Sequence, residues 1–154
     1  MKKSEYRDDV FYTIVWSRLI PYDRHSAARV LPEMPGILCF MEKPKRADPK
    51  YLVFYSCWRD GLRMGLKNLF DPDLGRHKKL AAMIARHELL YKYTMIDSSA
   101  RDMQDVMYWL IRNYTPEYNS LDEFSDSKRY KEIYVKEMEL EGDQVIERIP
   151  SFGL

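Results

Sequence analysis

At 154 residues the chain has room for about one domain, and its 45% hydrophobic and 32% charged residues are those of a folded globular protein, not a disordered one. Twenty-five Lys and Arg against 24 Asp and Glu leave a net charge of +1, which excludes a protein that coats nucleic acid by bulk charge alone. Cys39 and Cys57 both sit among apolar residues and read as reduced core thiols; with no CxxC and with His25, His77 and His87 scattered, neither a disulfide framework nor a structural zinc site is expected.

The N-terminal stretch Met1 to Asp9 has no apolar core of a leader, and no run reaches the ~18 apolar residues that a membrane helix needs. The expectation is a soluble, cytoplasmic protein with no membrane partner. Val10 to Ile20 is apolar and aromatic, and its pattern fits a strand or a helix equally. Pro21, Pro32 and Pro35 then punctuate a loop-like stretch. Gly36 to Met41 is a short continuous apolar run and reads as a buried strand. Glu42 to Lys50, with Pro44, Asp48 and Pro49, reads as a turn. Tyr51 to Tyr55 reads as a second strand, completing a hairpin with a long loop.

Leu62, Leu66 and Leu69-Phe70 recur at helical spacing, with Asp60 as the expected N-cap and Asp71-Pro72 as the stop. A basic helix is expected from Leu74 to about Glu88, with Leu80, Met83, Ile84 and His87 on one side. Leu89 to Ile96 reads as a third strand. Asp97-Ser98-Ser99 then caps a helix whose inner face is Met103, Val106, Met107, Leu110 and Ile111. Ile133 to Val135 and Val145-Ile146 flank Glu141-Gly142-Asp143, a pattern of a terminal hairpin or of an amphipathic helix.

Charge divides unevenly along the chain. Arg59 to Lys92 holds eight basic and four acidic residues, whereas Glu117 to Glu147 holds ten acidic and four basic ones. The basic middle is either a phosphate-binding surface or a solvated helix face. The acidic segment is a solvated hairpin, a cover over the basic middle, or a site for a basic partner. Trp58-Arg59-Asp60 reads as a stacking ring and cation for a ligand, or as a half-buried aromatic followed by a cap.

The order strand, strand, helix, helix, strand, helix, from roughly Leu31 to Asn119, resembles the GIY-YIG nuclease fold. Pro35-Gly36-Ile37-Leu38 is similar to the family's opening Gly-Ile-Tyr. Leu62-Arg63-Met64-Gly65-Leu66 is similar to the helix that carries the family's arginine. Leu110 to Asn119, Leu-Ile-Arg-Asn-Tyr-Thr-Pro-Glu-Tyr-Asn, is similar to its closing stretch and is the most specific of the three. The resemblance implies an α/β (α+β) domain over 1–154. Its 31–119 core would be a small three-stranded antiparallel sheet flanked by helices, and 120–154 an acidic extension forming an extra hairpin or helix.

The family cuts phosphodiesters with one divalent metal, held by a glutamate and assisted by an arginine and two tyrosines. Residue by residue, the first tyrosine falls on Leu38, the second on Tyr55 (or, with a one-residue gap, on Phe54), the arginine on Gly65, the glutamate on Met107 and the asparagine on Asn119. A thioether cannot hold a hard cation that takes oxygen ligands, and a glycine brings no charge to a phosphate. The resemblance therefore implies no catalytic residues and no cofactor; Mg²⁺ would enter only if the chain were an active nuclease. Asp105, two residues from Met107, is a poor replacement, since that spacing turns it away on a helix.

Two functions are expected to compete. One is a nucleic-acid-binding module without cutting activity, its contacts drawn from Trp58, Arg59, Arg63, Lys67, Arg76, Lys78, Lys79 and Arg86. The other is a protein-interaction or structural module reusing the fold. An active endonuclease with a displaced site comes third.

Overall fold

The computed structural model describes residues 1–43, 49–70, 78–86, 88–141 and 144–148. It is a mixed α/β structure with two four-stranded sheets and four helices among these residues.

The first sheet joins the two ends of the chain. β1 (Lys2–Tyr6) and β2 (Asp9–Trp16) form a tight antiparallel hairpin, with Arg7 at φ 54° in the turn. In β2, Val10, Tyr12, Ile14 and Trp16 are buried while Phe11 and Val15 face out. That period of two settles the ambiguous stretch as a strand. β2 pairs in parallel with β7 (Glu132–Glu141), from Asp9 opposite Glu132 to Trp16 opposite Glu139. β7 turns back into β8 (Gln144–Arg148), so the acidic segment ends in a hairpin and the order is β1-β2-β7-β8.

The second sheet holds the three expected strands and one more. β4 (Gly36–Glu42) lies between β5 (Lys50–Cys57) and β6 (Leu89–Met95), antiparallel to both. β3, the two residues Ile20–Pro21, pairs with the outer edge of β6, giving the order β3-β6-β4-β5. The sheet is thus four-stranded where three strands were expected. The extra strand exists because the chain leaving β2 crosses directly to β6: Ser17 N donates to Tyr93 O at 2.8 Å, and Tyr93 N donates back to Ser17 Oγ at 3.0 Å.

β4 is covered on both faces, which is why it reads as unbroken apolar sequence. Ile37, Cys39 and Met41 point toward α4 (Ala100–Tyr114) and the first sheet, where they join Tyr12, Trp16, Val106, Met107, Leu110 and Val135. Leu38 and Phe40 point the other way, into a second core with α2 (Gly61–Leu69) and α3 (Lys78–Arg86). α4 is therefore packed between the two sheets. Ser99 caps it by accepting from Asp102 N at 3.0 Å, and Thr115 at φ 42° ends it before Pro116. Each large side chain fully buried in these cores contributes about 1.5–3 kcal/mol.

Two local readings differ from expectation. The proline-punctuated stretch contains a helix, α1 (Arg24–Val30), capped by Asp23, whose carboxylate accepts from His25 N at 3.2 Å. The prolines bound this helix and do not interrupt it. Asp60 precedes α2 but does not cap it; its carboxylate accepts from Asn68 Nδ2 at 3.1 Å instead. The first free N–H groups of α2 are satisfied by the loop after α1, Leu62 N donating to Met34 O and Arg63 N to Pro32 O. Gly61 makes this approach possible: at φ 78° a Cβ there would lie 2.0 Å from Glu33 O.

Candidate functional site

The positions matched to the family's catalytic residues do not converge. Leu38 and Tyr55 are directly opposite in the β4–β5 ladder, on the face covered by α2. Leu38 is buried, and Tyr55 is half-buried, its hydroxyl pushed by burial up to about 12. Gly65 presses α2 onto β5: a Cβ there would sit 2.5 Å from Cys57 Sγ and 2.9 Å from Cys57 Cβ. The glycine is a packing residue, and the geometry has no space for an arginine. Met107 lies in the other core, between α4 and the sheets.

Asn119 brackets the edge of β5. Its Oδ1 accepts from Phe54 N at 2.7 Å and its Nδ2 donates to Phe54 O at 3.0 Å. With Tyr118 N donating to Leu52 O at 2.8 Å, the segment after α4 runs along β5 and shields an otherwise open strand edge.

Asp105 is no free carboxylate either. It is fully buried and accepts from Ser127 N at 2.7 Å, Ser127 Oγ at 2.9 Å and Arg129 Nη2 at 2.9 Å. Neighbouring Asp102 accepts from Arg129 at 2.8 Å, Lys3 at 2.9 Å and Ser98 at 2.8 Å, with the Tyr12 hydroxyl 3.0 Å away. Burial opposes ionisation of Asp102, yet these hydrogen bonds outweigh it and hold the carboxyl well below the usual range. A divalent metal does not fit here: one candidate donor is a buried thioether and both aspartates are already taken by cations.

The cations fall into two groups. Arg63 and Lys67, one turn apart on α2, line a groove of about 1130 Å³ together with Arg24 and Arg29 of α1. Tyr22 and Phe70 form its aromatic wall, stacked at 6.0 Å, with the Arg24 guanidinium 5.7 Å from the Phe70 ring. Two carboxylates share the groove, and both are engaged: Glu33 pairs with Arg63 at 3.1 Å, and Asp60 holds Asn68. Arg63 also donates through Nε to Leu31 O at 2.9 Å, so it straps α2 to the end of α1 as well as lining the groove.

The second group follows α3. Lys78 and Lys79 border a groove of about 700 Å³ beside Tyr55, Tyr118 and Asn119, and Lys79 and Arg86 continue past Tyr118. Among the described residues these three cations make no ion pair.

Other expected contacts are not brought together. Trp58 is half-buried against the core between the sheets, and Asp60, expected beside it as a cap, does not cap α2. Arg59 is exposed and lines neither groove. Arg76, His77 and His87 lie outside the described residues. Lys92, counted with the basic middle, is buried and pairs with Glu139 of the acidic segment at 3.1 Å. Arg24 and Arg29 were missed because their stretch read as loop; Asp23 followed by Ser26-Ala27-Ala28 was the helix signal available.

No described helix is long and apolar enough to cross a membrane. Residues 1–150 match the model of a protein family described as "Uncharacterised protein". No curated protein and no solved structure matches the chain.

Proposed function

We propose that this chain, which belongs to the family matched over residues 1–150, is a nucleic-acid-binding module built on a GIY-YIG-like framework that does not cut. The observation that carries the reading is the groove between α1 and α2. It gathers Arg24, Arg29, Arg63 and Lys67 around two stacked rings, while its two carboxylates are already engaged. Cations rank along such a groove can take up phosphates, and aromatic faces can take up bases with little regard to sequence. The row Lys78, Lys79 and Arg86 beside Tyr118 adds a second stretch of the same chemistry.

The framework reading rests on chain order and pairing. A β4–β5 hairpin is followed by α2 and α3, then by β6 against β4, then by α4 and a segment ending in Asn119. Loss of cutting rests on Gly65 and Met107, both sealed into packed interiors. Purified protein titrated with labelled single- and double-stranded DNA and RNA at two salt concentrations tests the reading. Salt-sensitive binding without metal-dependent cleavage is expected. No binding at low salt overturns it and leaves the second reading, a protein-interaction module, which the apolar outer face of the first sheet favours.

A further inference from the structure

We propose that the groove between α1 and α2 takes single-stranded nucleic acid in preference to duplex, an inference that rests on the nucleic-acid reading above and narrows its ligand. The charge of the groove is small. Arg24, Arg29, Arg63 and Lys67 share it with Glu33 and Asp60, a net of +2 among the described residues with His25 neutral. Arg63 is in addition engaged by Glu33 at 3.1 Å and by Leu31 O at 2.9 Å. A protein that holds a duplex by charge neutralises about 6–10 phosphates. Among the described residues the groove offers at most four such contacts. Charge alone therefore holds a duplex only weakly here, and a ligand that binds well must draw on the rest of the lining.

That lining is apolar and aromatic. Tyr22, Ala28, Met64 and Phe70 line the same groove as the cations. Met64, next to Arg63 on α2, is 45% exposed, an unusual position for so apolar a side chain unless something covers it. Tyr22 and Phe70 stack at 6.0 Å, with the Arg24 guanidinium 5.7 Å from the Phe70 ring. An unpaired strand uses both kinds of surface at once: cations take its backbone, and rings take the faces of its bases. In a duplex those faces are stacked on one another, and only base edges reach the grooves. Shape points the same way. A duplex is read by a helix or a two-stranded ribbon that enters a major groove about 12 Å wide. Here the cations line a hollow of about 1130 Å³. A drug-sized ligand fills up to about 1,000 Å³, so the hollow suits one or two unpaired nucleotides and leaves a duplex at its rim. The hollow is also held in shape, because Arg63 N donates to Pro32 O and Leu62 N to Met34 O, tying α2 to the chain that leaves α1.

Fluorescence anisotropy of the full chain with labelled DNA and RNA strands of about 12 nucleotides, a length within the range that single-strand sites cover, tests the inference. Each strand is compared with its own duplex and with an abasic strand of equal length, which keeps every phosphate and loses every base. The intact strand is expected to bind about tenfold tighter than its duplex, or more, and about fivefold tighter than the abasic strand, or more. Phe70→Leu keeps an apolar side chain but removes the ring. It should weaken the intact strand by about fivefold or more and leave the abasic strand unchanged. Should that variant fail to fold, the abasic comparison on the unaltered protein decides the matter. A duplex bound as tightly as its strand overturns the inference and spares the nucleic-acid reading. So does an abasic strand bound as well as the intact one, or a folded Phe70→Leu variant that binds the intact strand unchanged. No binding of any probe at low salt overturns both.

Discussion

Lys92 Nζ lies 3.1 Å from a carboxylate oxygen of Glu139, and that ion pair joins the two sheets across the core. Lys92 projects from β6 and is 1% exposed; Glu139 projects from β7. The ammonium also rests 4.7 Å from the Trp16 ring, whose indole N–H donates to Glu137 at 2.6 Å. Arg148 completes the group by donating to Glu139 at 2.8 Å, and the Tyr114 hydroxyl donates to Glu137. Removing one partner of a fully buried pair costs about 3–5 kcal/mol; Glu139 is 26% exposed and keeps Arg148 as a partner, so the loss here falls below that range. Lys92→Ala should therefore destabilise the protein, and Lys92→Met less so, since Met keeps the packed stem. Urea denaturation midpoints check this ordering; equal losses in the two variants would mean that the packed stem is immaterial.

Acid should unfold the protein partly through Asp102. Its folded carboxyl titrates below the ordinary range because the hydrogen bonds from Arg129, Lys3, Ser98 and Tyr12 overcome the effect of burial. A depressed folded value gives stability that is present above the unfolded value, about 3.9, and is lost as pH falls through the folded one. Stability should thus decline as pH drops below about 4. Asp102→Asn should be less stable at neutral pH and lose stability less steeply in acid. A parallel pair of stability–pH curves would rule this group out as the cause.

Introducing the arginine and glutamate that the GIY-YIG resemblance implies should not confer cutting. Gly65→Arg drives a side chain into Cys57, whose Sγ would be 2.5 Å from the new Cβ. Overpacking of this kind costs about 1–3 kcal/mol, and a buried guanidinium costs more. Met107→Glu buries a carboxylate in the core between α4 and the sheets. The double variant should be less stable and still inert toward DNA and RNA with Mg²⁺. Cleavage by a folded double variant would show that the two positions do face one site.

Much of the second sheet was legible because its signals are local. Gly36 to Met41 is an unbroken apolar run, and Ser99 marks the start of α4 by its cap. The parallel pairing of β2 with β7 was not legible. Its partners, such as Val10 and Ile133, are far apart in the chain, and a strand's own pattern shows which face is buried but not which strand lies beside it. α1 escaped notice because seven residues are too few to display a helical period. For the candidate site, Arg63 and Lys67 were legible from i, i+4 spacing. Lys92 was counted with the basic middle because a single lysine among tyrosines in a strand does not reveal that its face turns toward Glu139.

Neither cysteine should react while the protein is folded. Burial pushes the thiols of Cys39 and Cys57 each up to about 12, so thiolate is scarce at neutral pH, and neither sulfur is open to solvent. A disulfide-exchange reagent should modify both only in denaturant. Fast labelling of either thiol in native buffer would indicate that its core opens readily.

Nucleic-acid binding through the α1–α2 groove should be set by charge. Arg29 and Lys67 are exposed and line it, and neither forms an ion pair among the described residues. Arg63 is a poorer probe, because its hydrogen bond to Leu31 O also ties α2 to α1 and its loss would disturb the groove's shape. Each phosphate contact adds about 0.7–0.9 to the slope of log affinity against log salt. Arg29→Ala with Lys67→Ala should weaken binding to all sequences alike and reduce that slope by about 1.4–1.8. The folded state should be unaffected, as surface changes of this kind fall within about 0.5 kcal/mol. Lys78→Ala with Lys79→Ala tests the second row in the same assay, and an equal fall there would mean that one strand follows both. Fluorescence anisotropy over a salt series reads every variant; an unchanged slope in Arg29→Ala with Lys67→Ala would remove the α1–α2 groove from the binding surface.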